Sequence, residues 1–231
     1  MDPSLPRRLT AITLLTALLA SPAAAQSERP PAILASLTNA AMVLSPYPLA
    51  RWRAALIDID ADRVRVQRCL DETPCRDIVA KPLANLVKRF SGLSGRTLIA
   101  AVNRHYNTFP YVPDQLAGKP SDDWASPLTF LQRSGDCEDF AIAKYLTLRL
   151  LGVPETAMAI LVLRDTSRGI DHAVLLVEDK GRMLVLDNLR GLARLEDYGD
   201  YQPLFALTAD SSWRVRTASR PISGIRPAAS Q

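Results

Sequence analysis

Histidine is nearly absent from this sequence, with two copies in 231 residues, and cysteine follows with three. Any chemistry that needs an imidazole has only His105 and His172 to draw on. Beyond the first twenty or so residues no stretch is apolar enough to span a bilayer, which takes about 20 consecutive apolar residues. Strong charge of either sign is also lacking. The formal net charge is +4, and no basic cluster is interleaved with aromatic residues, so nucleic acid is not an expected partner. No internal repeat is visible, which sets aside repeat architectures.

What is present begins with an export signal. Arg7 and Arg8 form a short positive region, and an apolar run from Leu9 to Ala20 comes next, too short for a membrane span. Ser21-Pro22-Ala23-Ala24-Ala25-Gln26 then carries small residues in the A-x-A pattern, which places a cut after Ala25. An uncleaved anchor helix is the alternative. The twin arginines hint at the twin-arginine route, although the general secretory pathway is favoured. The expected organisation is a signal peptide over 1–25, one domain over 26–217 and a Ser/Arg/Pro/Ala tail over 218–231. The mature chain is expected to be soluble in the periplasm, without a transmembrane span.

All three cysteines lie in that mature chain. Cys69 and Cys75 bracket the turn-rich Leu70-Asp71-Glu72-Thr73-Pro74 and can close a small disulfide loop in an oxidising compartment, two free thiols being the alternative. Pairing them leaves Cys137 alone. An odd cysteine in an exported protein is an intermolecular linker or a reactive thiol.

Hydrophobic spacing predicts mostly helix from Leu34 to about Val66, broken by Pro46 and Pro48, then helices over Lys81–Phe90 and Arg96–Tyr106. Asn107 to Pro127 reads as a long loop, of a length often tied to function. The clearest helix runs from Cys137 to about Leu151, with Asp136 as cap, Asp139 three residues on as in a capping box, and Gly152 and Pro154 as stops. Ala157–Arg164, His172–Glu178 and Arg182–Asp187 read as strands, the last two joined by the turn signal Asp179-Lys180-Gly181. Beyond Asp187 the chain reads as irregular. Helices first and an antiparallel sheet second give an α+β class.

Cys137 sits in Ser134-Gly135-Asp136-Cys137-Glu138-Asp139-Phe140, at the first turn of the clearest helix. The positive end of a helix favours thiolate over thiol, and the thiolate is the nucleophile. The plain alternative is a small buried residue at a helix start. His172 begins a strand, whereas His105 lies among polar helical residues with no obvious partner. If the hairpin turn centres near Lys180, His172 lies opposite Asn188 and next to Asp187, close enough for Asp187 to orient the imidazole. Cysteine, base and orienting acid form a generalised triad. Alternatively, His172 is a surface histidine and Asp187 only ends a strand. Asp136, Glu138 and Asp139 crowd the thiol, and like charge disfavours its ionisation. Either they cap the helix and point away, or a hard cation such as calcium neutralises them.

The stretch from Trp124 through Gly135-Asp136-Cys137-Glu138-Asp139 to Tyr145, then Leu151-Gly152-Val153, resembles the bacterial transglutaminase-like cysteine proteases. His172-Ala173-Val174-Leu175, Val185-Leu186-Asp187-Asn188, and upstream Val102-Asn103 with Asn107, Tyr111 and Asp114 extend the likeness over roughly residues 85 to 190. The resemblance implies a papain-like, transglutaminase-like α+β fold with a helical N-terminal part. In it the nucleophile starts a central helix packed on an antiparallel sheet. It also implies a Cys137–His172–Asp187 triad and calcium dependence through Asp136, Glu138 and Asp139. The implied substrate is the N-terminal region of a large repeat adhesin, cut at an Ala-Ala site to control biofilm attachment. The implied partner is an inner-membrane cyclic-di-GMP receptor that sequesters the protease. Trp124 is an oxyanion-pocket candidate by analogy with transglutaminases, a core aromatic being the alternative. One departure is Leu128-Thr129 after the Trp-x-x-Pro, where many relatives carry an acid; it bears on substrate detail more than on chemistry. Transglutaminase-type acyl transfer and a non-catalytic binding module on the same fold are the competing readings. Intact Cys137, His172 and Asp187 speak against the second.

Overall fold

The computed structural model describes residues 31–37, 40–114 and 123–217. The expected leader over 1–25, the first residues of the expected domain, part of the long loop and the tail over 218–231 lie outside the described residues. No helix among those described is long and apolar enough to cross a membrane.

A 3₁₀ turn at Ala32–Leu37 and strand β1 (Ala40–Leu44) precede helices α1 (Leu49–Asp71), α2 (Lys81–Phe90), α3 (Gly95–Tyr106), α4 (Pro127–Arg133) and α5 (Cys137–Leu150). Six strands come after them: β2 (Met158–Asp165), β3 (Ile170–Asp179), β4 (Arg182–Asp187), β5 (Gly191–Arg194), β6 (Tyr201–Leu207) and β7 (Ser212–Thr217). The seven strands among the described residues form one antiparallel sheet in the order β1-β7-β6-β2-β3-β4-β5. The fold is therefore α+β, with two corrections to the sequence reading. Residues 40–44 are a strand on the far edge of the sheet rather than part of a helix, and the chain after Asp187 supplies three more strands rather than irregular coil.

Both faces of the sheet are buried, which is why β2 and β3 read as continuous apolar runs instead of alternating ones. Ala173, Leu175 and Val177 of β3 face the helices, in a core with Trp52, Leu83, Val102, Phe130 and Leu146. Val174 and Leu176 face the other way, onto Leu161, Leu163, Val185 and Trp213 and the cover supplied by Ile33, Leu34 and Leu37. Helix α5 runs through the middle, and every residue from Glu138 to Leu148 is buried. Trp52 of α1 donates its indole N–H to the carbonyl of Thr208 (2.6 Å), tying the helical layer to the β6–β7 turn. Cys69 and Cys75, at the end of α1 and just beyond it, are joined in a disulfide.

Two local devices fix α4 and the β3–β4 hairpin in place. Buried Asp62 of α1 accepts the Leu128 N–H (2.8 Å) and docks the start of α4, while the Ser126 hydroxyl caps that helix by accepting the Thr129 N–H. In the hairpin, Lys180 (φ 53°) and Gly181 (φ 76°) both take positive φ. Positive φ at both central residues is the two-residue turn whose twist matches that of paired strands.

Candidate active site

The start of α5 is held by a carboxylate that bridges two segments. Asp139, fully buried, accepts the Asp136 N–H through one oxygen (3.3 Å) and the Ala125 N–H through the other (2.6 Å). The cap thus fixes Trp124-Ala125 beside the helix start. Gly135 is required by this arrangement, because a Cβ there would lie 2.7 Å from Asp139 Cβ and Cγ. On the other side of Gly135 its carbonyl accepts the Val112 N–H (2.9 Å), and Tyr111 bridges to Gly135 as a parallel β-contact. That pairing carries buried Asp114 alongside Asp136.

Three carboxylates converge as a result. Oxygens of Asp114, Asp136 and Glu138 all lie within 4.8 Å of one another. Of the three acids singled out from the sequence, Asp136 and Glu138 belong to this group. Asp139 does not, because both its oxygens serve the cap and the Ala125 N–H; Asp114 stands in its place. A signal for Asp114 exists in the upstream part of the family resemblance, but twenty-two residues separate it from Asp136. Burial pushes the Asp136 carboxyl up, and burial, then the Asp136 charge, push Glu138 up to about 8. Asp136 Oδ1 is buried with no hydrogen-bond partner among the described residues. An all-oxygen, like-charged, desolvated donor set fits a hard cation of the calcium type.

Cys137 is the free cysteine of the described residues, and it lines a cleft of about 340 Å³ with Trp124, Glu138, Val162, His172, Ala173, Leu204 and Phe205. Its S–H donates to Glu138 Oε2 (3.1 Å). Burial first, then the Glu138 charge, push its pKa well above the usual thiol value, while the Ala173 N–H works in the other direction. Burial and the neighbouring carboxylates thus both oppose thiolate formation.

His172 and Asp187 meet on adjoining strands. The His172 Nε2 to Asp187 Oδ1 distance is 3.0 Å, with both residues buried. Here the register differs from the sequence expectation by one residue. Asp179 pairs with Arg182 and Leu175 with Leu186, so the same ladder carried on sets His172 opposite Leu189, not Asn188. The shift matters, because a one-residue slip moves a side chain to the opposite face. With the turn centred between Lys180 and Gly181, Asp187 falls on the face of His172, as its diagonal neighbour. The Leu189 N–H (2.7 Å) also donates to Asp187 Oδ1, and Asn107 Nδ2 (2.7 Å) holds its backbone carbonyl. Burial works to raise the Asp187 pKa, yet the hydrogen bonds from His172, Tyr201 and Leu189 hold it below the usual carboxylate value. With Nε2 committed to the acid, Nδ1 is the His172 atom left for proton exchange. His105 lies elsewhere, packed among Phe90, Tyr106 and Phe109.

Trp124 forms one wall of the cleft, its ring 6.4 Å from that of Trp52. Leu204, Phe205 and Tyr47 also line the cleft, and the sequence reading does not single them out.

A helix-start thiol, packed against an antiparallel sheet that presents a buried imidazole–carboxylate pair, is the frame of a papain-like cysteine hydrolase. The family model described as bacterial transglutaminase-like cysteine proteinase (BTLCP) matches residues 87–212, and the chain belongs to that family. Among solved structures, LapG of Legionella pneumophila is 26% identical, with a TM-score of 0.53, over 68% of this chain and 87% of that one. Its calcium-bound form matches over the same shares with a TM-score of 0.54. Its EGTA-treated form also gives 0.54, at 26% identity over 69% and 86%. No match is found among curated proteins.

Proposed function

We propose that this cysteine protease is a calcium-dependent periplasmic endopeptidase in which Cys137, His172 and Asp187 form the catalytic triad. The observation that carries the reading is that His172, paired with Asp187 at 3.0 Å, lines the same cleft as a thiol at a helix N-terminus. His172 takes the thiol proton at Nδ1, and Asp187 at Nε2 fixes the tautomer and steadies the imidazolium that forms. Cys137 attacks the scissile carbonyl. The backbone N–H groups at the start of α5 face the developing oxyanion, and Trp124 is a candidate second donor. His172 then returns the proton to the leaving amine, and water resolves the acyl-enzyme.

Asp114, Asp136 and Glu138 are the residues that would hold calcium. Bound there, the ion supplies positive charge that offsets the carboxylates opposing thiolate formation. The LapG structures with calcium and after EGTA treatment support this assignment by analogy. Export rests on the A-x-A leader. The N-terminal region of a large surface adhesin as substrate, and an inner-membrane cyclic-di-GMP receptor as sequestering partner, rest on the family resemblance.

The test compares mature wild-type protein with Cys137→Ala on envelope proteins of the source organism, with new N-termini mapped by mass spectrometry in calcium and in EGTA. Cleavage that needs both Cys137 and calcium, concentrated near the N-terminus of a large adhesin, is the expected result. Cleavage by Cys137→Ala would remove the triad, and full cleavage in EGTA would remove the metal.

A further inference from the structure

We infer that Tyr201 is a positioning residue for the reaction, locking the Asp187 carboxylate from the side opposite His172 and held in turn by Arg190. The inference rests on the triad reading above.

The Tyr201 hydroxyl donates to Asp187 Oδ2 at 2.6 Å, and both residues are buried. Asp187 Oδ1 is already occupied by His172 and the Leu189 N–H. A carboxylate bound at only one oxygen can rotate about its Cβ–Cγ bond and release the imidazole. Engaged at both oxygens, and with its backbone carbonyl held by Asn107, it has one orientation.

Tyr201 reaches this position through an irregularity in the sheet. In the β2–β6 ladder, Val162 pairs with Phe205 but Leu163 pairs with Pro203, so Leu204 is an extra residue. Along β6, Phe205 and Leu207 turn toward the cleft and the helical core. Without the extra residue Tyr201 would share their face. The bulge turns it to the opposite face instead, among Leu163, Val174 and Val185, where Asp187 also lies. A bulge beside an active site that re-aims a side chain is a recurrent device.

The ring is then clamped. The Arg190 guanidinium lies 4.6 Å from the Tyr201 ring centroid, and Tyr198 stacks on the same ring at 4.6 Å. Arg190 is itself fixed by Asp165 (2.9 Å), Asp200 (2.7 Å) and the Ser167 hydroxyl (3.0 Å). These groups come from the end of β2, the β2–β3 turn and the residue before β6, so the clamp gathers separate segments around one phenol. Arg190 sits three residues after Asp187 and reaches back over the residue that holds it.

The test uses the mature full-length chain in saturating calcium, with Tyr201→Phe removing only the hydroxyl. Iodoacetamide is the probe, since Cys137 is the one free thiol once Cys69 and Cys75 are paired. Its alkylation rate at pH 7 is expected to fall about tenfold in Tyr201→Phe. Asp187→Asn should lower it at least as far, and the double variant should be no slower than Asp187→Asn alone, because residues acting through one another are not additive. The spectroscopic check is the proton NMR signal of the His172 Nε2–H, which should shift and exchange faster with solvent in Tyr201→Phe while the melting temperature stays near that of the wild type. If Asp187→Asn slows alkylation and Tyr201→Phe leaves both rate and resonance unchanged, the positioning role is overturned and the triad stands. Effects that add independently in the double variant overturn it in the same way. If Asp187→Asn itself has no effect, both readings fall together.

Discussion

Replacing Lys144 by Met should stabilise this protein, and do so most at low pH. Lys144 lies in the middle of α5, fully buried, and its Nζ has no hydrogen-bond partner among the described residues. Its favourable neighbours are the Phe140 ring, with Nζ 5.7 Å from the centroid, and the charge of Asp187. Burial lowers its pKa from 10.5 to about 7, with Asp187 opposing the shift. At roughly 1.4 kcal/mol per pKa unit, protonating Lys144 costs about 5 kcal/mol more in the folded chain than in the unfolded one. The sign comes from proton counting. Between pH 7 and 10.5 the unfolded chain holds the proton and the folded chain loses it, so stability rises with pH across that window. The penalty is absent above the upper value and complete below the lower one. Methionine keeps the unbranched shape and the contact with Phe140, so Lys144→Met should gain about 4 kcal/mol at pH 6.5 but only about 1 kcal/mol at pH 9.5. Urea unfolding monitored by tryptophan fluorescence, run on both chains at the two pH values and constant calcium, reads that difference directly. A methionine variant less stable at pH 6.5, or an advantage that does not shrink at pH 9.5, would refute the reasoning.

Other consequences of the site can be checked on the purified chain. Asp114→Asn should weaken calcium binding at least tenfold by calorimetry without lowering the melting temperature of the calcium-free protein, since it relieves repulsion among three carboxylates. Asp139→Asn should do the reverse, leaving a backbone N–H without an acceptor at a cost of about 1–3 kcal/mol; the opposite pattern would return the ligand role to Asp139. Gly135→Ala should destabilise by about 1–3 kcal/mol through overpacking against Asp139, and a melting temperature equal to that of the wild type would show that the close approach is not real.

The part of the site that lies on one helix was legible without coordinates. A capping box, a cysteine at the first helical position and acids on either side are local, and local geometry is set by spacing. The hairpin was also legible, because Lys180-Gly181 between two apolar runs dictates a tight turn. Its register was not, and an error of one residue would have put Asp187 on the wrong face of the sheet. β7 carried a readable signal of its own: Trp213 and Val215 point into the core while Arg214 and Arg216 alternate with them, a period of two. β1, by contrast, is Ala40-Ala41-Met42-Val43-Leu44, a composition that suits a helix as well as a strand, and pairing with β7 decides it.

The sequence by itself determined the helix that Cys137 starts, the tight turn between the strands that carry His172 and Asp187, and the α+β class, because each depends on patterns within a few positions of one another. Only the tertiary structure decided which acids gather beside the thiol and which groups hold Asp187. Asp114 arrives through a β-bridge to Gly135, Asp139 is drawn off to bind Ala125, and Tyr201 is turned toward Asp187 by a bulge in β6, a strand separated from β4 by β2 and β3. Each of these is set by how separate segments pack and pair, and no spacing along the chain records where two distant backbones will meet.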